Sequence, residues 1–316
     1  MSKCALDREE GIRLYDEVLT KSDFVPVRFR YDGKQYEGLG ELTEMRREET
    51  NGGGYRKATC VYSVDETLSV TLRASLCEEF GECEYYLTFE NHSEKVSAAL
   101  SDVCAADLSF AGTKPVLRSC MGDHEQFYHA YQNDLTLGDS YFASTSGRAT
   151  HVVFPYFDLV HGDGGTMIAL GWAGSWNALF SYGSGSTRFT AQTCTKLNTV
   201  LLPGESVRTG LVVFLPYKGR DYDNATNLWR EWFMKYNLPK ADASGAELMP
   251  FSTTCFAGDT GLPNSDGSIS ERYYTWKPTL DKLVRERVVP DFRWFDAGWY
   301  SDPAGSSVEK DWFGTV

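Results

Sequence analysis

The chain is short of cysteine pairs, of long apolar runs and of positive charge, and each shortage removes a class of protein. Its eight cysteines, Cys4, Cys60, Cys77, Cys83, Cys104, Cys120, Cys194 and Cys255, are scattered with no CxxC pair. They read as free buried thiols of a reduced compartment, not as a disulfide framework or a metal site. No stretch approaches the ~20 apolar residues of a membrane span, and the first ten residues put Lys3, Asp7, Arg8, Glu9 and Glu10 where a secretion signal needs an apolar core. Both point to the cytoplasm, where the sequons at Asn91 and Asn224 carry no meaning. Lys and Arg number 31 against 44 Asp and Glu, a net charge of −13. That argues against nucleic acid or an anionic membrane as partner, since both need a basic face. The glycine clusters at 52–54 and 162–165 lack the Lys-Ser/Thr of a phosphate loop, and no Gly-x-Ser-x-Gly elbow occurs. His124 and His129, with Asp123 and Glu125, make the one metal-like cluster, without a zinc spacing. Neither a metal nor a cofactor is expected.

What is present is aromatic and acidic: 14% Phe, Trp and Tyr in 316 residues. Acids accept hydrogen bonds from hydroxyls and rings stack on the C–H faces of sugars, so neutral oligosaccharides suit this composition. The length predicts about two domains. From Phe24 to Pro216, apolar and polar residues alternate in short runs. The runs are 25–31, 58–64, 68–76, 84–91, 152–159, 167–172, 187–193 and 209–215, with hairpin turns expected at Asp32-Gly33, Asn51-Gly52 and Asp163-Gly164. Many short strands of this kind predict a large antiparallel sandwich over 1–216.

After Pro216 the pattern changes. Asp223 is placed to cap a helix whose apolar residues Leu228, Trp229, Trp232, Phe233 and Tyr236 line one face, ending at Leu238-Pro239. With the Ala, Asp, Ser and Gly that follow, 217–248 reads as a connecting helix and linker. Residues 249–316 then read as strand (250–256), helix and strand (292–295). Pro278 opens the helix, Leu280, Leu283, Val284 and Val288 form its stripe, and Val289-Pro290 ends it. That order is a βαβ unit of a parallel sheet. The fold class is therefore an antiparallel β-sandwich followed by the start of an α/β (β/α)8 barrel. Two strands cannot close a barrel that takes ~250 residues, so the barrel is expected to be truncated here, the chain reading as the front part of a longer protein.

Four groups of residues carry a family resemblance. They are Gly147-Arg148-Ala149-Thr150-His151 leading into Phe154-Pro155-Tyr156-Phe157; Gly171-Trp172-Ala173-Gly174-Ser175-Trp176; Asn227-Leu228-Trp229-Arg230-Glu231-Trp232; and Phe295-Asp296-Ala297-Gly298-Trp299-Tyr300. In this order the chain resembles the family-36 glycoside hydrolases, the α-galactosidase or melibiase group. The resemblance implies an N-terminal β-supersandwich followed by a (β/α)8 barrel, and retaining hydrolysis of terminal α-galactosyl or related residues. It places no catalytic residue here, because the family's nucleophile and acid/base come from the fourth and sixth barrel strands, beyond residue 316. Asp296 matches the first of two adjacent aspartates that bind sugar hydroxyls. Ala297 stands in place of the second and removes one charged acceptor from a galactose site. Cys255-Phe256 departs from the tryptophan expected on the first barrel strand.

Each candidate has a plainer reading beside the functional one. Asp296 binds a sugar or caps the next loop, and Trp299 stacks on a pyranose or packs over the barrel mouth. Trp172 and Trp176 pack in the sandwich, or lend an aromatic to a substrate cleft of this subunit or a neighbour, with a homo-oligomer formed through the sandwich. Trp229 and Trp232 dock the connecting helix. Two further functions stay open: a non-catalytic carbohydrate-binding or assembly module, and a relative that transfers galactose to another sugar.

Overall fold

In the computed structural model, residues 3–21, 24–124, 127–144, 146–193, 197–239, 253–256, 281–289 and 292–295 are described. The chain divides into two compact units, Met1–Leu238 and Pro239–Val316, so the connecting helix belongs to the first.

The first unit is built on one broad antiparallel sheet. Its path runs Ala130–Asp134, Val116–Cys120, Tyr156–His161, Gly164–Gly171, Leu211–Lys218, Glu82–Asn91, Leu68–Cys77, Tyr55–Ser63 and Thr43–Gly52. Ala5–Leu6 and Ser206–Arg208 pair beside this path, with Leu211–Lys218 and Glu82–Asn91. Two four-stranded antiparallel sheets accompany it. One holds Ser140–Ser144, Trp176–Gly183, Ser186–Thr193 and Ala106–Ala111; the other holds Asn198–Thr199, Leu100–Cys104, Arg28–Tyr31 and Lys34–Glu37.

Alternation gives the sheets their shared core. Leu72, Tyr85, Leu87, Phe89, Phe157 and Phe214 of the broad sheet meet Phe29, Phe180 and Phe189 of the smaller ones in one apolar cluster. Phe157 packs on Phe180 at 5.2 Å between ring centroids, and Phe180 on Phe189 at 4.9 Å. Each such side chain, taken fully out of water, contributes roughly 1.5–3 kcal/mol. The sandwich read from the sequence is thus present, antiparallel throughout.

The opposite face of the broad sheet has its own apolar cluster of Cys77, Phe80, Met167, Ala169, Val213, Leu215 and Tyr217, covered by Ala225, Trp229 and Trp232. These last three lie on the connecting helix Tyr222–Trp232, which widens to π-helical turns over Phe233–Asn237. Its cap is Asp221 and not Asp223. Asp221 is extended, and its carboxylate accepts a hydrogen bond from the Asn224 amide, the geometry an N-cap requires.

Several local expectations shift for physical reasons. The Asp32-Gly33 turn forms as read, with both residues at positive φ. The other two hairpins turn two residues later, at Gly53-Gly54, and one residue earlier, at Gly162-Asp163, where glycine supplies the positive φ. The strand expected from Val152 begins only at Tyr156, since Val152 itself has a φ of 71°. The last strand of the sheet runs past Pro216 to Lys218. Proline lacks only the donor, and the Pro216 carbonyl accepts from the Asp7 amide. A helix at Arg8–Arg13, continuing in π-helical turns over Leu14–Thr20, has no counterpart in the sequence reading.

In the second unit, Thr253–Phe256 and Phe292–Phe295 pair in parallel, Thr253 opposite Phe292 through Phe256 opposite Phe295. Helical turns occupy residues 281–285 between them. Six of the cysteines are described as free thiols: Cys4, Cys60, Cys77, Cys83, Cys104 and Cys120. No helix among the described residues is long and apolar enough to cross a membrane.

Candidate functional site

Three of the four motifs meet at one place on the first unit. The loop after Val116–Cys120 and the loop before Tyr156–His161 run against each other. The Gly122 amide donates to Val152 O at 2.8 Å, and the Asp123 amide to Thr150 O at 2.9 Å. Gly122 is what lets them close: a Cβ there would sit 1.7 Å from Thr150 O.

Side chains then tie the Gly147–His151 motif down. Arg148 donates to Asp123 Oδ2 at 3.1 Å and to His151 Nδ1 at 2.8 Å. Arginine has no acceptor, so Nδ1 accepts and a neutral His151 carries its proton on Nε2. His124 stacks on His151, ring centroids 4.7 Å apart. The Gly171–Trp176 motif joins through two bonds. The Gly147 amide donates to Ser175 Oγ at 3.2 Å, and the Trp176 indole donates to Ala149 O at 2.7 Å.

From this crossing an aromatic ladder leads to the connecting helix. Tyr128 packs on Phe154 at 6.1 Å, Phe154 on Tyr156 at 4.9 Å, Tyr156 on Trp229 at 5.3 Å, and Trp229 on Trp232 at 4.8 Å. Phe127 and Tyr128, at the outer end, are 77% and 53% exposed and sit at φ 39° and 62°. Two consecutive non-glycine residues in the left-handed region are strained, which sharpens interest in this turn. The sequence reading missed both rings, because nothing in a lone Phe-Tyr pair announces exposure.

The sequence candidates are distributed as follows. Trp176 has no exposed surface and lies in the core against Phe157, so packing describes its place, and a ring without surface has none to offer a sugar. Trp172 is half-buried at the edge of the core, its indole Nε1 2.9 Å from where a Cβ on Gly174 would stand. Asp296 and Trp299 lie outside the described residues, just past the parallel strand Phe292–Phe295. Of the metal-like cluster, Glu125 also lies outside them, and His124 and Asp123 take part in the loop crossing.

Chemically the crossing offers rings, imidazoles and one carboxylate already bound to a guanidinium. That set can stack on and hydrogen-bond a neutral ligand. A cleft of about 700 Å³ lies elsewhere, between the N-terminal helix and the 161–164 hairpin, lined by Asp7, Glu10, Arg13, His161 and Lys218 among others. Its charges are engaged with one another, Arg13 with Glu10 at 2.6 Å and Lys218 with Asp7 at 3.4 Å. Burial pushes the His161 imidazole below its ordinary range, and its two nitrogens lie within hydrogen-bond distance of Ala111 O and Thr166 Oγ1.

No protein-family model matches the chain, and no curated protein matches it in sequence. Solved structures do match in fold. The α-galactosidase from Lactobacillus brevis superposes with a TM-score of 0.62 at 12% identity, over 88% of this chain and 38% of that one. The GH36 α-galactosidase AgaB from Geobacillus stearothermophilus gives 0.62 at 15% identity, over 87% and 39%. A variant of the GH36 α-galactosidase AgaA from the same organism, in complex with stachyose, gives 0.61 at 14%, over 87% and 40%. This chain thus shares the fold of a portion of these α-galactosidases and spans about two fifths of their length.

Proposed function

We propose that the chain is the N-terminal sandwich, connecting helix and first barrel strands of a cytoplasmic, retaining α-galactosidase-type glycoside hydrolase. Its substrates are oligosaccharides with terminal α-galactosyl or related residues. The observation that carries this reading is the succession of a large antiparallel sandwich, a docked helix and a parallel strand pair, in a chain similar in fold over most of its length to GH36 α-galactosidases.

In this reading the chemistry belongs to the barrel. Asp296, at the end of the second barrel strand, accepts hydrogen bonds from sugar hydroxyls, and Trp299 stacks on the ring. Trp172 is the sandwich aromatic that would lend a ring to a substrate cleft, and oligomer contacts run through the sandwich. The two carboxylates of retaining chemistry, roughly 5–5.5 Å apart in such enzymes, are supplied by barrel strands other than the two described. Ala297 leaves the sugar one charged acceptor short, which favours a differently decorated sugar beside galactose.

The test is turnover of an aryl α-galactoside. The 316-residue chain is expected to give none. A chain carrying all eight barrel strands is expected to hydrolyse it with retention of configuration, read by proton NMR of the first-formed sugar. Turnover by the 316-residue chain, or inversion by the longer one, contradicts the proposal.

A further inference from the structure

The connecting helix covers an acid with no ordinary reason to be buried. Glu82 opens the strand Glu82–Asn91, opposite Cys77 in register, and is fully buried. Neither carboxyl oxygen has a hydrogen-bond partner, and among the described residues no lysine, arginine or histidine pairs with it. The indole Nε1 of Trp232, from the helix above, is equally buried and equally without an acceptor. Among the described residues that N–H is the one side-chain donor acting on the carboxyl, and the two groups stop short of an ordinary hydrogen bond.

The other groups around Glu82 do not help it ionise. Glu84, two residues along the same strand, repels a second charge. Cys77 on the adjoining strand, Cys83 and Tyr55 are themselves pushed up in pKa, first by burial and then in part by a charge on Glu82. Arg13 of the N-terminal helix is engaged with Glu10, and Lys235 of the connecting helix with Glu79. An ionised carboxylate here would be a buried, unpaired charge, among the costliest arrangements a fold can hold. The cheapest relief is to admit water by lifting the helix end. That end sits at the margin of the cluster: Phe233 and Tyr236 are only half-buried, Tyr236 packing edge-on against Tyr55 and Phe80, and the bonds from Lys235 and Tyr236 to Glu79 are exposed.

We propose that Glu82 is a proton-controlled latch for the connecting helix. With its proton, the carboxyl is a neutral neighbour that Trp232 seats upon; without it, the last turns of the helix lift. The sign follows from burial, which holds the Glu82 pKa well above its ordinary value. Docking is therefore strongest below the unfolded value of about 4.5 and weakens as pH rises through the folded pKa. The helix is the last element of the first unit before the chain enters the second.

The test is hydrogen exchange across residues 228–238 of the full 316-residue chain, corrected for intrinsic rate, from pH 5 to pH 9. Protection in the wild type is expected to fall with pH by up to about tenfold per unit, the limit for release of one proton. Glu82→Gln and Glu82→Leu, which cannot titrate, are expected to give flat profiles. Trp232→Phe keeps the carboxyl and removes its donor, and is expected to keep the pH dependence and extend it to higher pH. Parallel profiles in wild type and Glu82→Gln, a flat wild-type profile, or a flat Trp232→Phe profile would each overturn the proposal.

Discussion

Gly122 shows how much a single residue decides. The two loops of the motif crossing approach so closely that a methyl group at this position would overlap Thr150 O, backbone that cannot swing aside. Gly122→Ala is expected to lower stability by about 1–3 kcal/mol, the usual cost of overpacking, seen as a lower urea midpoint with an unchanged slope. Nothing in the sequence separates this glycine from the other 28, because the close approach is made by residues almost thirty positions away. Asp158 carries the second prediction at this scale. It is fully buried, accepts from the Tyr217 hydroxyl and lies 3.9 Å from Arg118. Burial raises its pKa to about 6 against the pull of Tyr217, Arg118 and Arg220. An acid raised in the folded state stabilises most below its unfolded value of about 3.8, and that contribution declines as pH rises through about 6. Asp158→Asn is expected to remove about 2–3 kcal/mol of pH-dependent stability over that window. An equal fall of unfolding free energy between pH 4 and pH 7 in variant and wild type would contradict it.

Among elements, the connecting helix was legible and the N-terminal helix was not, for the same reason of period. Leu228, Trp229, Trp232, Phe233 and Tyr236 fit a 3.6-residue stripe, and Trp229 and Trp232 do dock the helix on the sheet. Leu14, Tyr15 and Leu19 are buried at i, i+1, i+5 because the turns there are π-helical, and a search for α-helical spacing passes over them. The strands were legible wherever one face is core and the other is not, as in Leu68–Cys77 and Glu82–Asn91. They were misplaced where a loop residue such as Val152 extends an apolar run without extending the sheet. The clustering of three motifs was beyond sequence reasoning, since Gly147-Ser175 and Trp176-Ala149 are meetings of distant loops. Trp229→Ala is expected to cost about 3–5 kcal/mol, lowering the melting temperature of the first unit. An unchanged melting temperature would remove the helix from the account of its stability.

At the scale of the whole molecule, the proposed function rests on the succession of sandwich, helix and parallel strands. Asp296→Ala, made in a chain with a complete barrel, is expected to reduce kcat/KM by about 1.5–3 kcal/mol of transition-state binding, the value of a hydrogen bond to a charged group. An unchanged kcat/KM would return Asp296 to the role of a loop cap. The composition pointed to a neutral, hydroxyl-rich ligand, while the proposed sugar contacts at Asp296 and Trp299 lie outside the described residues. The most direct measurement is to read the coding DNA past the codon for Val316. The account predicts at least roughly 200 further residues, the remainder of a barrel, with aspartates ending its fourth and sixth strands. A stop codon at that position would contradict it and leave a sandwich module without hydrolytic chemistry.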